Sequence, residues 1–333
     1  LPTEIGEIAA GANHSCAVSL DRDAACWGQN WFGQLGDNDS FDPSGGPGET
    51  EPAPVAVGGG QAVFGAAVGG DDHTCFTVPP YVLAATLVAC TGRNTDGQIG
   101  YTTTGYSEPL RTVLTAPGAP LLSVDTIAVG SNFACARLAD SFVWCWGANT
   151  YGTLGNGTTT SSSVAVSTGI TGDSLGAGER SACVTGPLRC WGDNRYGQLG
   201  TGTVSAPPDS VFSTTQTVVG PALNAVSVDV GDDFACAVLP DATVRCWGRN
   251  HRGQLGADTT AAGRAPPPGP PSPWAGRRPP GAPAGRRATP GTPGPTSPSR
   301  WCRSRRGRWP TGAIRTVAPS RRGGVPAPPP PVV

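Results

Sequence analysis

Apolar and polar positions along the chain change over in short runs rather than with a helical rhythm. Segments such as Cys135-Ala136-Arg137-Leu138 and Phe142-Val143-Trp144-Cys145 carry β-forming residues and are bounded by Gly, Asp and Asn, the pattern of hairpin arms. Gly (49) and Pro (35) make up about a quarter of the 333 residues, a level at which turn-dominated structure replaces helices. The longest predominantly apolar run, Tyr81 to Ala89, is nine residues, against the roughly 20 that a membrane-spanning helix needs. An all-β chain without a transmembrane segment is expected. The N-terminus shows no basic region followed by an apolar stretch, so a signal peptide is absent or already removed.

Self-similarity organises these short runs. One pattern occurs five times: a Gly, a Cys five residues later, a second Cys, and then a block close to Trp-Gly-x-Asn-x-x-Gly-Gln-Leu-Gly. The first copy runs from Gly11 and Cys16 through Cys26, Trp27 and Asn30 to Gly36, and the second from Gly70 and Cys75 through Cys90 and Asn94 to Gly100, with Thr91 in place of the Trp. The third carries Gly130, Cys135, Cys145, Trp146, Asn149 and Gly155; the fourth Gly178, Cys183, Cys190, Trp191, Asn194 and Gly200; the fifth Gly231, Cys236, Cys246, Trp247, Asn250 and Gly256. The second Cys recurs at steps of 64, 55, 45 and 56 residues, too long for a helical repeat and suited to a four-stranded propeller blade. The fixed glycines would supply positive φ or close strand approach, the Asn would bond its own backbone in the turn, and Trp and Leu would fill the space between blades.

The repeated block resembles the regulator-of-chromosome-condensation repeat, whose consensus ends in the same Trp-Gly-x-Asn-x-x-Gly-Gln-Leu-Gly run. The resemblance covers roughly residues 5 to 260 and implies a β-propeller, with seven blades the family norm. Five repeats are visible here, which leaves ring closure open. Two domains follow: a repeat propeller over 1–260 and a Pro/Arg/Gly-rich tail over 261–333.

Ten of the 11 cysteines fall in pairs inside the repeats: Cys16 with Cys26, Cys75 with Cys90, Cys135 with Cys145, Cys183 with Cys190 and Cys236 with Cys246; Cys302 lies in the tail. Three pairs are ten apart and centre on Asp21, Asp140 and Asp241, as a three- or five-residue hairpin loop requires. The fourth is shortened and centres on Gly186-Pro187. Facing residues of an antiparallel pair sit about 4.5 Å apart at Cα, within disulfide range. Five intrablade disulfides are predicted, each worth up to about 3 kcal/mol on chain-entropy grounds. The competing reading makes Cys a small apolar core residue. Disulfides are favoured because insertions change the spacing within a pair while leaving the pair intact. Five of them imply an oxidising compartment: secreted, periplasmic or cell-surface. Zinc is disfavoured, since no C-x-x-C pair occurs and there are three histidines.

Candidate chemistry is sparse. His14 and His73 share one repeat position with Phe133, Ser181 and Phe234, which reads as packing, and His251 falls in the variable Asn-x-x-Gly turn. No nucleophile elbow selects a serine. Acids cluster just after the repeat Gly, as Asp71, Asp72, Glu179, Asp232 and Asp233. They form either an acidic rim that attracts a basic partner or a cation, or a set of solvated turn residues. No calcium loop is seen. No catalytic residue, cofactor or metal is expected. Asn13-His14-Ser15, Asn38-Asp39-Ser40 and Asn156-Gly157-Thr158 fit the N-glycosylation triplet. The long loops, Asp37 to Gly69, Tyr101 to Val129 and Thr201 to Val230, are where recognition is expected.

The formal net charge of -1 conceals a division. Residues 1–262 hold ten Arg against all 24 acids, whereas 263–333 hold 13 Arg and no acid; Lys and Met are absent. Such an acidic repeat region should repel nucleic acid. The Lys-free bias suggests a GC-rich, bacterial coding sequence. In the tail, which carries 20 prolines over the last 70 residues, disorder is expected because too little apolar surface is available to offset ordering entropy. Arg300 to Arg308 reads alternatively as an anion-binding patch. A frame error that replaced further repeats would also produce this composition.

Three functions compete. The first is a non-enzymatic, disulfide-stapled scaffold that binds an unidentified protein outside the cytoplasm; the resemblance extends to a secreted β-lactamase inhibitor that covers an enzyme with its propeller face. The second is a guanine-nucleotide exchange factor for a small GTPase, which the founding family member implies. The third is a propeller glycosidase or lyase, which needs paired carboxylates about 5 to 9 Å apart. The scaffold reading fits the cysteines best, and the oligomeric state is left open.

Overall fold

The computed structural model describes residues 4–37, 49–55, 65–68, 70–78, 85–202, 212–219 and 224–256. The chain divides into two units, Leu1–Arg277 and Arg278–Val333, and all of the second lies outside the described residues. The same holds for the expected boundary near residue 260, Cys302, the Arg300 to Arg308 segment, the Asn38-Asp39-Ser40 triplet and most of the first long loop.

The first unit is all-β among its described residues and is an arc of consecutive antiparallel meanders. Blade 1 comprises β1 (Ile5–Ala10), β2 (His14–Ser19), β3 (Ala24–Gly28) and β4 (Glu49–Pro54). Blade 2 comprises β5 (Gly65–Val68), β6 (His73–Val78), β7 (Leu87–Asn94) and β8 (Gly105–Thr112). A small hairpin, β9 (Leu114–Ala116) with β10 (Ala119–Pro120), leads into blade 3: β11 (Val124–Val129), β12 (Phe133–Leu138), β13 (Phe142–Gly147) and β14 (Ser162–Thr171). Blade 4 holds β15 (Leu175–Ala177), β16 (Ser181–Val184), β17 (Arg189–Asp193) and β18 (Phe212–Val218). Blade 5 has three described strands, β19 (Ser227–Val230), β20 (Phe234–Val238) and β21 (Val244–Gly248). First strands of successive blades, β1, β5, β11, β15 and β19, pack side by side and form the inner edge of the arc.

Local chemistry explains why each repeat folds this way. The central hairpins turn at the expected Asp residues, and the residue after each Asp takes a left-handed conformation: Arg22 at φ 73°, Ser141 at 69° and Ala242 at 63°. Asp140 and Asp241 steady their turns by accepting the amides of Phe142 and Thr243. At the other end of the meander, the Asn side chain closes the Asn-x-x-Gly turn in all five copies. Its Oδ1 accepts the amide five residues on, from Leu35, Ile99, Leu154, Leu199 and Leu255, at 2.9–3.1 Å. The glycine of the Trp-Gly pair cannot be replaced freely. It sits at φ of 102–110° in every blade, and at Gly28 a Cβ would lie 2.5 Å from the carbonyl of Asn13, in the loop that leads into β2.

The cores lie between blades, not within them. One cluster joins Cys75, Cys90 and Ile99 of blade 2 to Ala134, Ala136 and Trp146 of blade 3. Equivalent clusters join blades 1 and 2, 3 and 4, and 4 and 5. Each junction therefore sets the cysteine pair and the turn Leu or Ile of one blade against apolar side chains of the next, which include its Trp in blades 3, 4 and 5. Three indoles make the junction directional. Trp146 Nε1 donates to the Gln98 carbonyl at 3.0 Å, Trp191 to Thr153 at 2.8 Å and Trp247 to Gln198 at 2.8 Å. Blade 2 lacks that Trp and uses hydroxyls: Thr74 donates to the Gln34 carbonyl at 2.7 Å and Thr91 to Gly33 at 2.9 Å.

Candidate protein-interaction face

Each cysteine pair occupies facing positions on the second and third strands of its blade: Cys16 opposite Cys26, Cys75 opposite Cys90, Cys135 opposite Cys145, Cys183 opposite Cys190 and Cys236 opposite Cys246. All five are bonded, with Cα separations of 4.0–4.1 Å. Four are fully buried under the next blade. The fifth is half-exposed, because no described blade follows it.

The meander places the loop after each inner strand and the Asn-x-x-Gly turn at one end of the blade, and the central hairpins at the other. The first end carries the acids singled out in the sequence. Asp71 and Asp232 are exposed. The other three are met by arginines: Asp72 by Arg93 at 3.3 Å, Glu179 by Arg180 at 3.0 Å and Asp233 by Arg249 at 2.8 Å. This rim is consequently a row of ion pairs with exposed carboxylates beside them rather than a uniformly negative surface. Burial pushes the Asp72 carboxyl up, with Arg93 opposing. Burial also pushes Glu179 up, opposed by Arg180 and assisted by Asp233 and Asp232 nearby.

Aromatic rings of the preceding blade complete the row. The Arg93 guanidinium lies 5.4 Å from the Phe32 ring, Arg180 and Arg195 lie 4.8 and 5.6 Å from Tyr151, and Arg249 lies 4.5 Å from Tyr196, all within cation–π range. Arg195 also bonds the buried Asp193 at 2.7 Å. The acids were visible in the sequence, but these arginines and rings were not singled out. Their signal was available: Arg93 and Arg249 fill the x of Trp/Thr-Gly-x-Asn, and Phe32, Tyr151 and Tyr196 fill the second x of Asn-x-x-Gly. Their meeting depends on the step from one blade to the next.

His14 and His73 are buried. The Thr74 hydroxyl donates to Gln34, so its oxygen accepts from His14 Nε2 at 2.8 Å; His14 Nδ1 and both nitrogens of His73 have no partner among the described residues. Burial lowers His14 to about 4, and burial with the nearby His14 lowers His73 to about 3. His251 is exposed. Among the described residues no group of three or more His, Cys, Asp or Glu is arranged to hold a metal, and no helix is long and apolar enough to cross a membrane. In the Asn156-Gly157-Thr158 triplet, Asn156 Oδ1 accepts from both the amide and the hydroxyl of Thr158; in Asn13-His14-Ser15, Asn13 is exposed.

Fold and face together define a propeller-type repeat protein whose blades are each closed by a disulfide. Models of the "Regulator of chromosome condensation (RCC1) repeat" match residues 7–34, 124–153 and 225–254, and residues 186–238. Over these residues the chain carries RCC1-type repeats. Among curated proteins it is 32% identical over 167 residues to the "Ultraviolet-B receptor UVR8" of Arabidopsis thaliana, covering 49% of this chain and 34% of that protein. It is 30% identical over 156 residues to the human "E3 ubiquitin-protein ligase HERC2", covering 46% of this chain and 3% of that protein. The chain thus spans about a third or less of these relatives. Among solved structures, human WBSCR16 superposes with a TM-score of 0.64 at 19% identity, over 80% of this chain and 66% of that one. Yeast RCC1 (Prp20), solved bound to Kap60, gives 0.61 at 19% identity, over 79% and 61%. These two show a shared fold.

Proposed function

We propose that this protein is a non-enzymatic docking scaffold that works outside the reducing cytosol and binds a partner protein on the rim that carries Asp72–Arg93, Glu179–Arg180 and Asp233–Arg249. The observation that carries the reading is the set of five disulfides, one per blade, because such bonds persist only where thiols are oxidised. The rim supports the choice of face. Its arginines are held between carboxylates and rings, so they are pre-organised and lose little freedom on binding, and Arg with Tyr is the composition found where interfaces concentrate their energy. The exposed Asp71 and Asp232 add a negative bias that selects basic partner surfaces. Yeast RCC1, which shares the fold, was solved with a protein partner.

The test is capture from extracellular or periplasmic fluid by the immobilised full chain, repeated with the double variant Asp71→Arg, Asp232→Arg. Both residues are exposed and stand outside the three ion pairs of the rim, so the fold is retained. A specific protein held by the wild type and lost by the variant is the expected result. Accelerated nucleotide release from a small GTPase, with no capture, would replace this reading with the exchange-factor one.

A further inference from the structure

Every described blade junction has two halves, and the five described blades leave one of each over, the trailing half in blade 5 and the leading half in blade 1. The trailing half is the Gly-Gln-Leu-Gly corner with the cysteine pair beneath it. In blades 2, 3 and 4 that corner is buried, including Ile99, Leu154 and Leu199, and a Cβ on Gly155 would lie 2.9 Å from the Trp191 indole of the next blade. In blade 5 the same corner is open. Leu255 is half-buried, Gly253 and Gly256 are exposed, and a Cβ on either glycine would meet nothing within 4 Å. No described donor reaches the Gln254 carbonyl, although its counterparts in blades 1 to 4 each accept a bond from the following blade.

The leading half is the inner strand with its Trp, and blade 1 presents it uncovered. Ile8, which faces Ala17 across the β1–β2 pair, is 76% exposed. The residue in the same register of blade 5, Val228, faces Ala237 and is buried in the junction with blade 4. Trp27 is half-exposed, whereas Trp146, Trp191 and Trp247 are buried and bonded. Trp27 Nε1 has no acceptor among the described residues.

These two surfaces are the complementary halves of one interface that the chain builds four times over. From that geometry we propose that a second copy of this chain docks head to tail: the blade 5 corner of one copy receives blade 1 of the next, with Trp27 of the second copy over Gly256 of the first and its indole N–H on the Gln254 carbonyl. Such a contact is heterologous, so it adds copies without using one patch twice. It is separate from the rim face and does not depend on how that face is used.

Sedimentation velocity on the full chain over a concentration series tests this with two end-blocking variants. Ile8→Asp charges an already exposed residue. Gly256→Asn keeps the left-handed φ of +67°, which Asn tolerates, and puts a side chain where the incoming indole would sit. The wild type is expected to grow in mass with concentration, each variant alone to stay monomeric, and the two mixed to form a 1:1 complex through their intact ends. In the wild type, reduction of the half-exposed Cys236–Cys246 bond by dithiothreitol should slow several-fold as association covers it. A wild type that remains monomeric at all concentrations, a variant that associates as the wild type does, or a mixture that forms no complex would each overturn the proposal. Partner capture by a monomeric chain would leave the docking-scaffold reading standing.

Discussion

Among the described residues, neither ring nitrogen of the fully buried His73 has a partner, and in His14 one nitrogen has none. Both resist protonation in the folded state, to about 3 and about 4 respectively, whereas an unfolded histidine takes up its proton near 6.5. Between those limits the unfolded chain binds more protons than the folded one, so stability rises with pH there. The stabilisation is complete above about pH 6.5 and is lost as the pH falls towards 4 and then 3, with about 3 kcal/mol at stake for His14 alone. Chemical-denaturation midpoints from pH 7 to pH 4 should therefore fall steeply. His73→Phe, which installs the side chain that blades 3 and 5 carry at this position, should flatten the fall and raise stability at pH 7. A second residue-scale expectation concerns Ala242, whose positive φ costs about 1 kcal/mol in a non-glycine residue. Glycine takes that φ without the clash but loses more freedom on folding. Ala242→Gly should therefore raise the denaturation midpoint by an amount equivalent to about 0.5 kcal/mol, the part of the relief that the entropy of glycine does not cancel. The neighbouring Asp241 keeps the turn closed in either case, through the Thr243 amide.

At the scale of the element, the blade is held by its staple and by the indole of the next blade. Trp191 is fully buried and bonded to Thr153, so Trp191→Ala should destabilise the fold by about 3–5 kcal/mol, the range for emptying such a site; urea unfolding measures it. The disulfides should reduce in an order set by cover. Mild dithiothreitol followed by alkylation and mass spectrometry should label Cys236 and Cys246 first in dilute protein, and the four buried pairs only on unfolding. Much of the blade was legible in the sequence. The cysteine spacing placed hairpins about Asp21, Asp140 and Asp241, and the Asn of each block closes its turn as the residue type suggests. The rim was legible only in half. Asp72 and Asp233 stand out by position, but their partner arginines come from a different strand and the Phe32 and Tyr196 rings over those arginines from the preceding blade, and strand order around the arc is a long-range property that local spacing does not encode. The substitution of Thr91 for Trp was visible, but the answering hydroxyl of Thr74 was not, since the two compensate through a shared neighbour, the turn of blade 1.

At the scale of the molecule, the five described blades pack face to face and leave a leading face and a trailing face, and one end of the blades presents arginines held by carboxylates and rings. On the function proposed above, recognition would sit at the loop end of a rigid scaffold, the division of labour expected of such folds, and the disulfides would let it operate where no reducing system protects free thiols. The central claim is that each blade is closed by its own sulfur bridge in the protein as it occurs. Peptide mapping under non-reducing conditions, on protein isolated without added oxidant and with free thiols blocked at lysis, tests it most directly. The account predicts five linked peptides joining Cys16 to Cys26, Cys75 to Cys90, Cys135 to Cys145, Cys183 to Cys190 and Cys236 to Cys246; blocked thiols at these ten positions, or links between different blades, would contradict it.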